Sequence, residues 1–354
     1  MKEITKEAVI DALKMITNPQ NQKNIVDSDL VHDVKIENNN ITVTLKLSHT
    51  TKPLLHSLQK AVRAAITSEI SDSLNVETDV INPDDKKSDP QQAPLANVKK
   101  VIAVASGKGG VGKSTVTANL ACALAKAGFS VGLIDADIFG PSIPKMFGLE
   151  NYKPEVKKID DKDVIIPAEK YGVKILSMGF FVEPESPVIW RGPMASNMLN
   201  QLINDADWGA LDFLLFDLSP GTSDIHLTVV QTVNLAGAVI VSTPQQVAIA
   251  DVVKGINMFK NDKIDVPILG IVENMAWFTP AELPQNKYYI FGNNGCKPIA
   301  EKYGLTVLMQ IPLIASICES GDNGVPSSLR DNSLTADYFN DLAVVIAEKC
   351  NVQK

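Results

Sequence analysis

Short apolar runs alternate with longer segments of helical periodicity over most of the chain. The apolar runs predict strands at 101–105, 130–135, 173–178, 211–216, 238–243, 267–273 and 306–311. The segments between them predict helices at 113–127, 194–204, 224–234, 247–260 and 335–349. Strands buried on both faces read as continuous apolar runs, so this alternation predicts an α/β fold with a mostly parallel, doubly wound sheet. Ligands bind such sheets beyond the carboxyl ends of the strands.

The first 81 residues have a different pattern, which predicts a small α+β domain. A helical pattern from Ile4 to Met15 precedes alternating apolar positions on both sides of Asn38-Asn39-Asn40, which indicate a hairpin. Pro53 opens a second predicted helix, and 76–81 predicts a last strand. The next residues contain three prolines and many charges but almost no large apolar side chain, which is typical of a linker. The expected organisation is a small domain at 1–81, a linker at 82–97 and an α/β domain at 98–354.

Composition narrows the possible functions. The formal net charge of −8 argues against a general nucleic-acid binder, which usually has a basic surface. No apolar run reaches membrane-spanning length, and the first residues lack the apolar core of a signal peptide. We therefore expect a cytoplasmic protein that binds neither nucleic acid nor membrane. The four cysteines and four histidines have no ligand spacing, so we expect no self-contained zinc site.

The most specific motif follows the first predicted strand of the large domain. Residues 107–114 read Gly-Lys-Gly-Gly-Val-Gly-Lys-Ser, the pattern of a phosphate-binding loop. Its glycines let backbone N–H groups converge on phosphate oxygens at the N-terminus of the next helix. Lys113 would reach the β- and γ-phosphates, and the Ser114 hydroxyl would ligate Mg²⁺. The alternative is a chance glycine-rich turn. The predicted nucleotide-binding residues of the loop are Gly107, Lys108, Gly109, Gly110, Val111, Gly112, Lys113, Ser114 and Thr115.

Two further predicted strands end in carboxylates. One runs into Asp135 and Asp137, and the other runs into Asp217. Mg²⁺ prefers oxygen ligands, and an attacking water needs a group that orients it. We expect Asp217 at the metal, Asp135 in support of the metal shell, and Asp137 at the water. The alternative is that these aspartates cap helices, which is the role that we expect of Asp224.

These motifs together resemble a known family. Lys108 combined with Lys113 is the deviant Walker A motif of the MinD/ParA/nitrogenase-iron-protein class, and within it the chain is similar to the Mrp/ApbC-type iron–sulfur cluster carrier ATPases. Further matching segments are Asp135-Ala136-Asp137-Ile138-Phe139-Gly140-Pro141-Ser142, Trp190-Arg191-Gly192-Pro193-Met194, Asp217-Leu218-Ser219-Pro220-Gly221-Thr222-Ser223-Asp224, Val272-Glu273-Asn274-Met275, Ile290-Phe291-Gly292 and Gln310-Ile311-Pro312-Leu313. The first 80 residues are similar to the iron–sulfur-assembly domain that often precedes such ATPases.

The resemblance implies a P-loop NTPase that binds ATP and Mg²⁺, works as a homodimer, and assists iron–sulfur cluster assembly or transfer to apoproteins. The catalytic residues that it implies are Lys108, Lys113 and Asp137. Lys108 would contact phosphates bound to the other subunit, while Asn274 and the segment after Pro312 would contact adenine. From its position alone, Asn274 is equally a strand-end cap or turn residue. Trp190 is equally a core anchor or a residue near the dimer interface.

The chain departs from this family at the cluster ligands. Members that carry clusters usually have a Cys-x-x-Cys pair between the Glu-Asn-Met and Phe-Gly segments, so that two subunits supply four thiolates. Here residues 277–287 contain no cysteine, and Lys52 stands where the small domain often has one. The nearest thiol is Cys296, for which we expect an ordinary buried or half-buried role. A bridging cluster would need Cys318, a non-thiolate ligand or a partner.

Two other functions therefore stay open at the level of sequence. One is a MinD/ParA-like positioning ATPase on a membrane or DNA, which needs a basic face that the acidic pattern of 335–349 does not offer. The other is a nucleotide-switched scaffold that does not itself hold a cluster.

Overall fold

The protein is described by a computed structural model over residues 5–17, 23–28, 30–37, 40–46, 52–71, 74–81, 95–159, 162–181, 192–261 and 264–353. The chain divides into two units, Met1–Gln92 and Ala93–Lys354. Most of the expected linker lies outside the described residues, so the predicted domain boundaries stay a prediction. Among the described residues, no helix is both long and apolar enough to cross a membrane.

The first unit is an α+β domain, as predicted. Its elements are α1 (Lys6–Leu13), β1 (Val31–Glu37), β2 (Asn40–Lys46), α2 (Lys52–Glu69) and β3 (Asn75–Ile81). The strands form a sheet in the order β1-β2-β3, with β1 antiparallel and β3 parallel to β2. Alternate residues of β2 point into the core of this unit, where Ile41, Val43 and Leu45 meet Val9 of α1 and Val62 of α2.

The second unit is built on a mostly parallel sheet, which confirms the predicted fold class. Its strands lie in the order β13-β12-β11-β4-β10-β5-β9-β8, and β8 alone among them runs antiparallel to its neighbour. These strands are β4 (Val98–Ser106), β5 (Val131–Ala136), β8 (Ala168–Lys170), β9 (Val173–Ser177), β10 (Leu211–Leu218), β11 (Gly237–Ser242), β12 (Ile268–Phe278) and β13 (Val307–Leu313). Strands β6 (Val156–Ile159) and β7 (Lys162–Ile165) form a separate antiparallel pair.

Helices separate most of the parallel strands along the chain. They are α3 (Lys113–Lys126), α4 (Ile143–Met146), α5 (Gly192–Asn204), α6 (Asp224–Thr232), α7 (Gln246–Phe259), α8 (Cys296–Tyr303), α9 (Ala315–Asp322) and α10 (Leu334–Lys349). Every strand and helix predicted from the apolar pattern is present, with ends that differ by a few residues. The pattern missed the shorter elements β6, β7, β8, α4, α8 and α9.

The register of the central strands places the candidate carboxylates side by side. Strand β10 lies between β4 and β5, and Asp217 pairs with Val104 on one side and Asp135 on the other. Because parallel strands all point the same way, the phosphate loop after β4 opens at the same edge of the sheet as these carboxylates.

Candidate functional site

The loop between β4 and α3 has a backbone that requires glycine for two different reasons. Gly110 and Gly112 have φ angles of 81° and 82°, in the left-handed region that disfavours a side chain. A Cβ atom at Gly107 would overlap the backbone of Asp251 in α7, and one at Gly112 would overlap the side-chain amide of Asn274. The loop is therefore fixed by its own turns and by close approach to neighbouring elements.

Hydrogen bonds tie the loop to the strand ends around it. The Asn274 Nδ2 atom donates to the carbonyl of Val111 over 2.9 Å. On the other side, the Gly221 N–H donates to the carbonyl of Ser106 over 2.8 Å, and the Ser106 hydroxyl donates to the carbonyl of Lys108 over 3.0 Å. The Lys108 side chain is exposed. Contacts within the protein therefore hold the loop in this conformation.

A buried lysine and a buried aspartate meet at the centre of the site. The Nζ atom of Lys113 lies 2.8 Å from Oδ2 of Asp217 and 3.8 Å from Oδ2 of Asp137. Ser114 Oγ donates to the same Asp217 Oδ2 atom over 2.6 Å, and Thr117 Oγ1 lies 2.7 Å from Oδ1. Asp217 is fully buried, so its charge is balanced by Lys113 rather than by water.

The two carboxylates after β5 have different surroundings. Asp135 is fully buried and accepts hydrogen bonds from the backbone N–H groups of Asp137 and Ile143 and from the Ser177 hydroxyl. Burial, and then the nearby charge of Asp217, raise the pKa of Asp135 to about 8. Through its hydrogen bonds to Asp137 and Ile143, Asp135 holds both ends of the loop 137–143. The predicted role of Asp135 in support of the metal stays a prediction.

Asp137 has one oxygen available for a further contact. Burial raises the pKa of Asp137, and its Oδ1 atom has no hydrogen-bond partner within the described part of the chain. An unpartnered buried oxygen is costly unless a water or ligand contacts it. This atom fits the predicted role of Asp137, which is to orient a water.

The residues around the loop enclose a cavity of about 240 Å³. Its lining residues are Ser106, Lys108, Gly109, Gly110, Gly112, Lys113, Ser114, Thr115, Asp137, Gly140, Ser142, Met146 and Pro220. Ser114 lines this cavity, and its hydroxyl contacts the buried Asp217 carboxylate, so two kinds of oxygen atom that suit Mg²⁺ lie at this point. No group of three or more His, Cys, Asp or Glu in the described ranges could hold a metal ion by itself. The donor set therefore fits Mg²⁺ that keeps waters and nucleotide oxygens as its other ligands.

The predicted adenine contacts stay predictions. Asn274 and Pro312 are both buried, in β12 and β13, and neither lines the cavity. The structure gives Asn274 a second role, since its amide holds the phosphate loop. Trp190 and Arg191 lie outside the described residues.

Within the described residues, the candidate thiols belong to no group of three or more His, Cys, Asp or Glu that could hold a metal ion. Cys296 is buried at the start of α8, where its N–H donates to Glu273, and burial raises the pKa of its thiol. Cys318 is exposed on α9, with its Sγ atom 3.7 Å from a carboxylate oxygen of Asp322. Cys296 is buried, as expected, and the expectation that it has no role as a cluster ligand stays a prediction.

The prediction that Asp224 caps α6 is wrong, because the capping residue is Ser223 and Asp224 is the first residue of the helix.

The Ser223 N–H donates to Nδ1 of the buried His226, so the imidazole proton is on Nε2, which has no partner within the described residues. Burial, and then the charge of Lys113, lower the pKa of His226 to about 4. Sequence reasoning missed His226 and Thr117. For His226 the only sequence signal was the Ser-x-x-His spacing of a capping box, in which histidine replaces the usual glutamate or glutamine.

Two family models match the chain. The model described as ParA, NUBPL iron-transfer P-loop NTPase, matches residues 97–347, and the iron–sulfur cluster assembly protein model matches residues 6–78. An iron–sulfur cluster carrier protein of Synechocystis is 39% identical over 354 residues, which cover 99% of each chain. The iron–sulfur cluster transfer protein NUBPL of Dictyostelium discoideum is 46% identical over 267 residues, covering 74% of this chain and 81% of its own.

Solved structures show the same fold for the second unit. A nucleotide-binding protein of Archaeoglobus fulgidus, in complex with ADP, is 39% identical with a TM-score of 0.58, and the match covers 67% of this chain and 92% of that protein. The cell division ATPase MinD of Pyrococcus furiosus is 23% identical with a TM-score of 0.53, over 71% of this chain and 99% of its own. At that identity the likeness to MinD shows the fold alone.

Proposed function

Because the chain belongs to the NUBPL iron-transfer P-loop NTPase family, whose relatives are iron–sulfur cluster carrier and transfer proteins, we propose that it is a Mg²⁺-dependent ATPase that works in this process as a homodimer. Its partners would be cluster scaffolds and apo iron–sulfur proteins of the cytoplasm. The observation that carries the proposal is the convergence of Lys113, Ser114 and Asp217 beside the phosphate loop. The ADP complex of the related Archaeoglobus protein supports a nucleotide at this loop.

Different residues of the site would bind the phosphates and the metal. Backbone N–H groups of the loop and the N-terminus of α3 would bind the phosphates. Lys113 would leave Asp217 and donate to the β- and γ-phosphates. Ser114 and Asp217 would then hold Mg²⁺, which when bound supplies positive charge against the phosphate oxygens.

Asp137 is the residue that we propose for hydrolysis. Its unpartnered Oδ1 atom would accept a hydrogen bond from the attacking water and orient it toward the γ-phosphate. The exposed Lys108 would reach phosphates on the other subunit, where a cation stabilises charge that develops on the transferring group.

The cluster itself is cargo in this proposal. Cluster iron is held chiefly by thiolates, and Cys318 is exposed in the described structure whereas Cys296 is enclosed. We propose that the ATPase cycle assists delivery, and that any cluster on the dimer would depend on Cys318 or on a partner. The relatives support this function rather than a positioning ATPase, and the exposed acids Asp337 and Asp341 of α10 would repel an anionic membrane.

Three measurements test the proposal. Phosphate release from ATP should require Mg²⁺ and should be lost in Lys113→Ala. Anaerobic reconstitution with iron and sulfide should give the same iron content in Cys296→Ala as in the unmodified protein, and a lower content in Cys318→Ala. Absence of Mg²⁺-dependent turnover, together with normal cluster-enzyme activities in a deletion strain, would show the proposal to be wrong.

A further inference from the structure

A buried threonine on the helix after the phosphate loop contacts the metal-associated carboxylate. Thr117 is fully buried, and its Oγ1 atom lies 2.7 Å from Oδ1 of Asp217 and 2.9 Å from the carbonyl oxygen of Lys113. Both of these groups are acceptors when Asp217 is ionised, and the hydroxyl has one proton. A hydrogen bond to an ionised carboxylate is shorter and roughly twice as strong as a neutral one. The Thr117 proton therefore goes to Asp217.

The two oxygens of Asp217 have partners of different kinds. Oδ2 receives the Ser114 hydroxyl and the Lys113 ammonium, the two groups that a bound nucleotide with its metal would draw away. Oδ1 receives Thr117, which lies one helical turn beyond Lys113 and does not line the cavity. The contact at Oδ1 is therefore the one that can persist when the site is filled.

We propose that Thr117 is the positioning residue of this carboxylate. By holding Oδ1, it fixes the plane of Asp217 so that Oδ2 keeps its direction and stays available to Mg²⁺ after Lys113 and Ser114 have turned to their ligands. Groups that hydrogen-bond a metal-ligating carboxylate orient it in this way. The inference rests on the proposed function, since it concerns Mg²⁺ held by Ser114 and Asp217.

The competing explanation is packing, because Thr117 is enclosed within the core. Thr117→Val keeps the shape of the side chain and removes the hydroxyl, whereas Thr117→Ser keeps the hydroxyl and removes the methyl group. Thr232→Val is a matched control, since the Thr232 hydroxyl also donates from a helix to a side chain, Oδ1 of Asn200, over 2.9 Å.

The test is the affinity for ADP by titration calorimetry, first in EDTA and then over a series of Mg²⁺ concentrations. We expect Thr117→Val to raise the Mg²⁺ concentration for half-maximal effect roughly 10-fold or more, with the affinity in EDTA unchanged. The Mg²⁺ concentration for half-maximal effect should be close to that of the unmodified protein in Thr117→Ser, and equal to it in Thr232→Val.

An unchanged Mg²⁺ midpoint in Thr117→Val would overturn the inference, as would a serine variant as defective as the valine variant. Should the valine variant fail to fold by circular dichroism, Thr117→Ala makes the same comparison without the hydroxyl. If the unmodified protein binds ADP with no response to Mg²⁺, the proposed metal site is wrong. That failure is recognisable because it appears before any substitution.

Discussion

Replacement of Gly112 by alanine tests how the phosphate loop is built. Gly112 has a φ of 82°, and a Cβ atom there would overlap the side-chain amide of Asn274. That amide is the donor to the Val111 carbonyl, so it cannot move aside without breaking the hydrogen bond. Gly112→Ala therefore strains the backbone and also removes a contact that fixes the loop.

The expected cost follows from these two effects. A left-handed conformation costs an ordinary residue about 1–2 kcal/mol. Loss of the Asn274–Val111 hydrogen bond adds about 1 kcal/mol. A total of about 2–3 kcal/mol in the binding-competent conformation corresponds to a loss of roughly 30- to 150-fold in affinity for ADP.

A double-mutant cycle separates the two effects. ADP affinity is measured by titration calorimetry for Gly112→Ala, Asn274→Ala and the double variant, with circular dichroism as the control for folding. In the double variant the overlap is gone, so the two changes together should cost less than the sum of the single costs. The reasoning is refuted if Gly112→Ala binds ADP as tightly as the unmodified protein, or if the two costs simply add.

Three other predictions follow from the site. Lys113→Ala should abolish productive nucleotide binding, whereas Lys108→Ala should keep much of the binding and lose ATP-dependent dimerisation or hydrolysis; equal binding defects by calorimetry would contradict this division. In the native protein, Cys318 should react with a thiol reagent well before Cys296, because burial raises the pKa of the Cys296 thiol; mass spectrometry of the labelled peptides checks the order. Because the folded pKa of His226 is about 4 and its ordinary value is 6.5, the unfolded chain takes up this proton first, so the contribution of His226 to the free energy of unfolding should fall as the pH drops from 6.5 toward 4, by up to about 1.4 kcal/mol per pH unit. Asp135, whose pKa is raised to about 8, contributes with the opposite sign over the same range, so the contribution of His226 is read from a comparison with a variant that lacks the imidazole. Urea unfolding across this pH range should show that the free energy of unfolding of the unmodified protein loses more, or gains less, on acidification than that of His226→Gln, which keeps an acceptor for the capping amide; equal slopes of free energy against pH would count against the assignment.

The long elements of the fold could be predicted because each buries a continuous set of side chains. Every residue of β5 and all but one of β10 are buried, and such runs stand out in the sequence. The missed elements bury too little to leave a pattern: all four residues of β6 are exposed, and α4 has only four residues. Short or exposed elements depend on contacts made elsewhere in the fold.

Some residues of the candidate site could likewise be predicted from the sequence, and others could not. Asp135 and Asp217 could be located because parallel strands end at one edge of the sheet, and each carboxylate follows an apolar run. The contact of Thr117 with Asp217 joins residues 100 positions apart, and a threonine within an apolar helix gives no sign of it. The role of His226 depends on its burial, which the spacing of polar residues does not reveal.

The ion pair between Lys113 and Asp217 has a consequence for the order in which ligands enter. With its ammonium 2.8 Å from Asp217 and 3.8 Å from Asp137, Lys113 is the counterion of both carboxylates. A free divalent cation that approached would meet a positive charge already in place. Lys113 leaves this position only when a ligand offers it other oxygens. Phosphate binding and metal binding are therefore thermodynamically linked, and each should strengthen the other. This ion pair therefore disfavours the binding of a cation that arrives without a nucleotide.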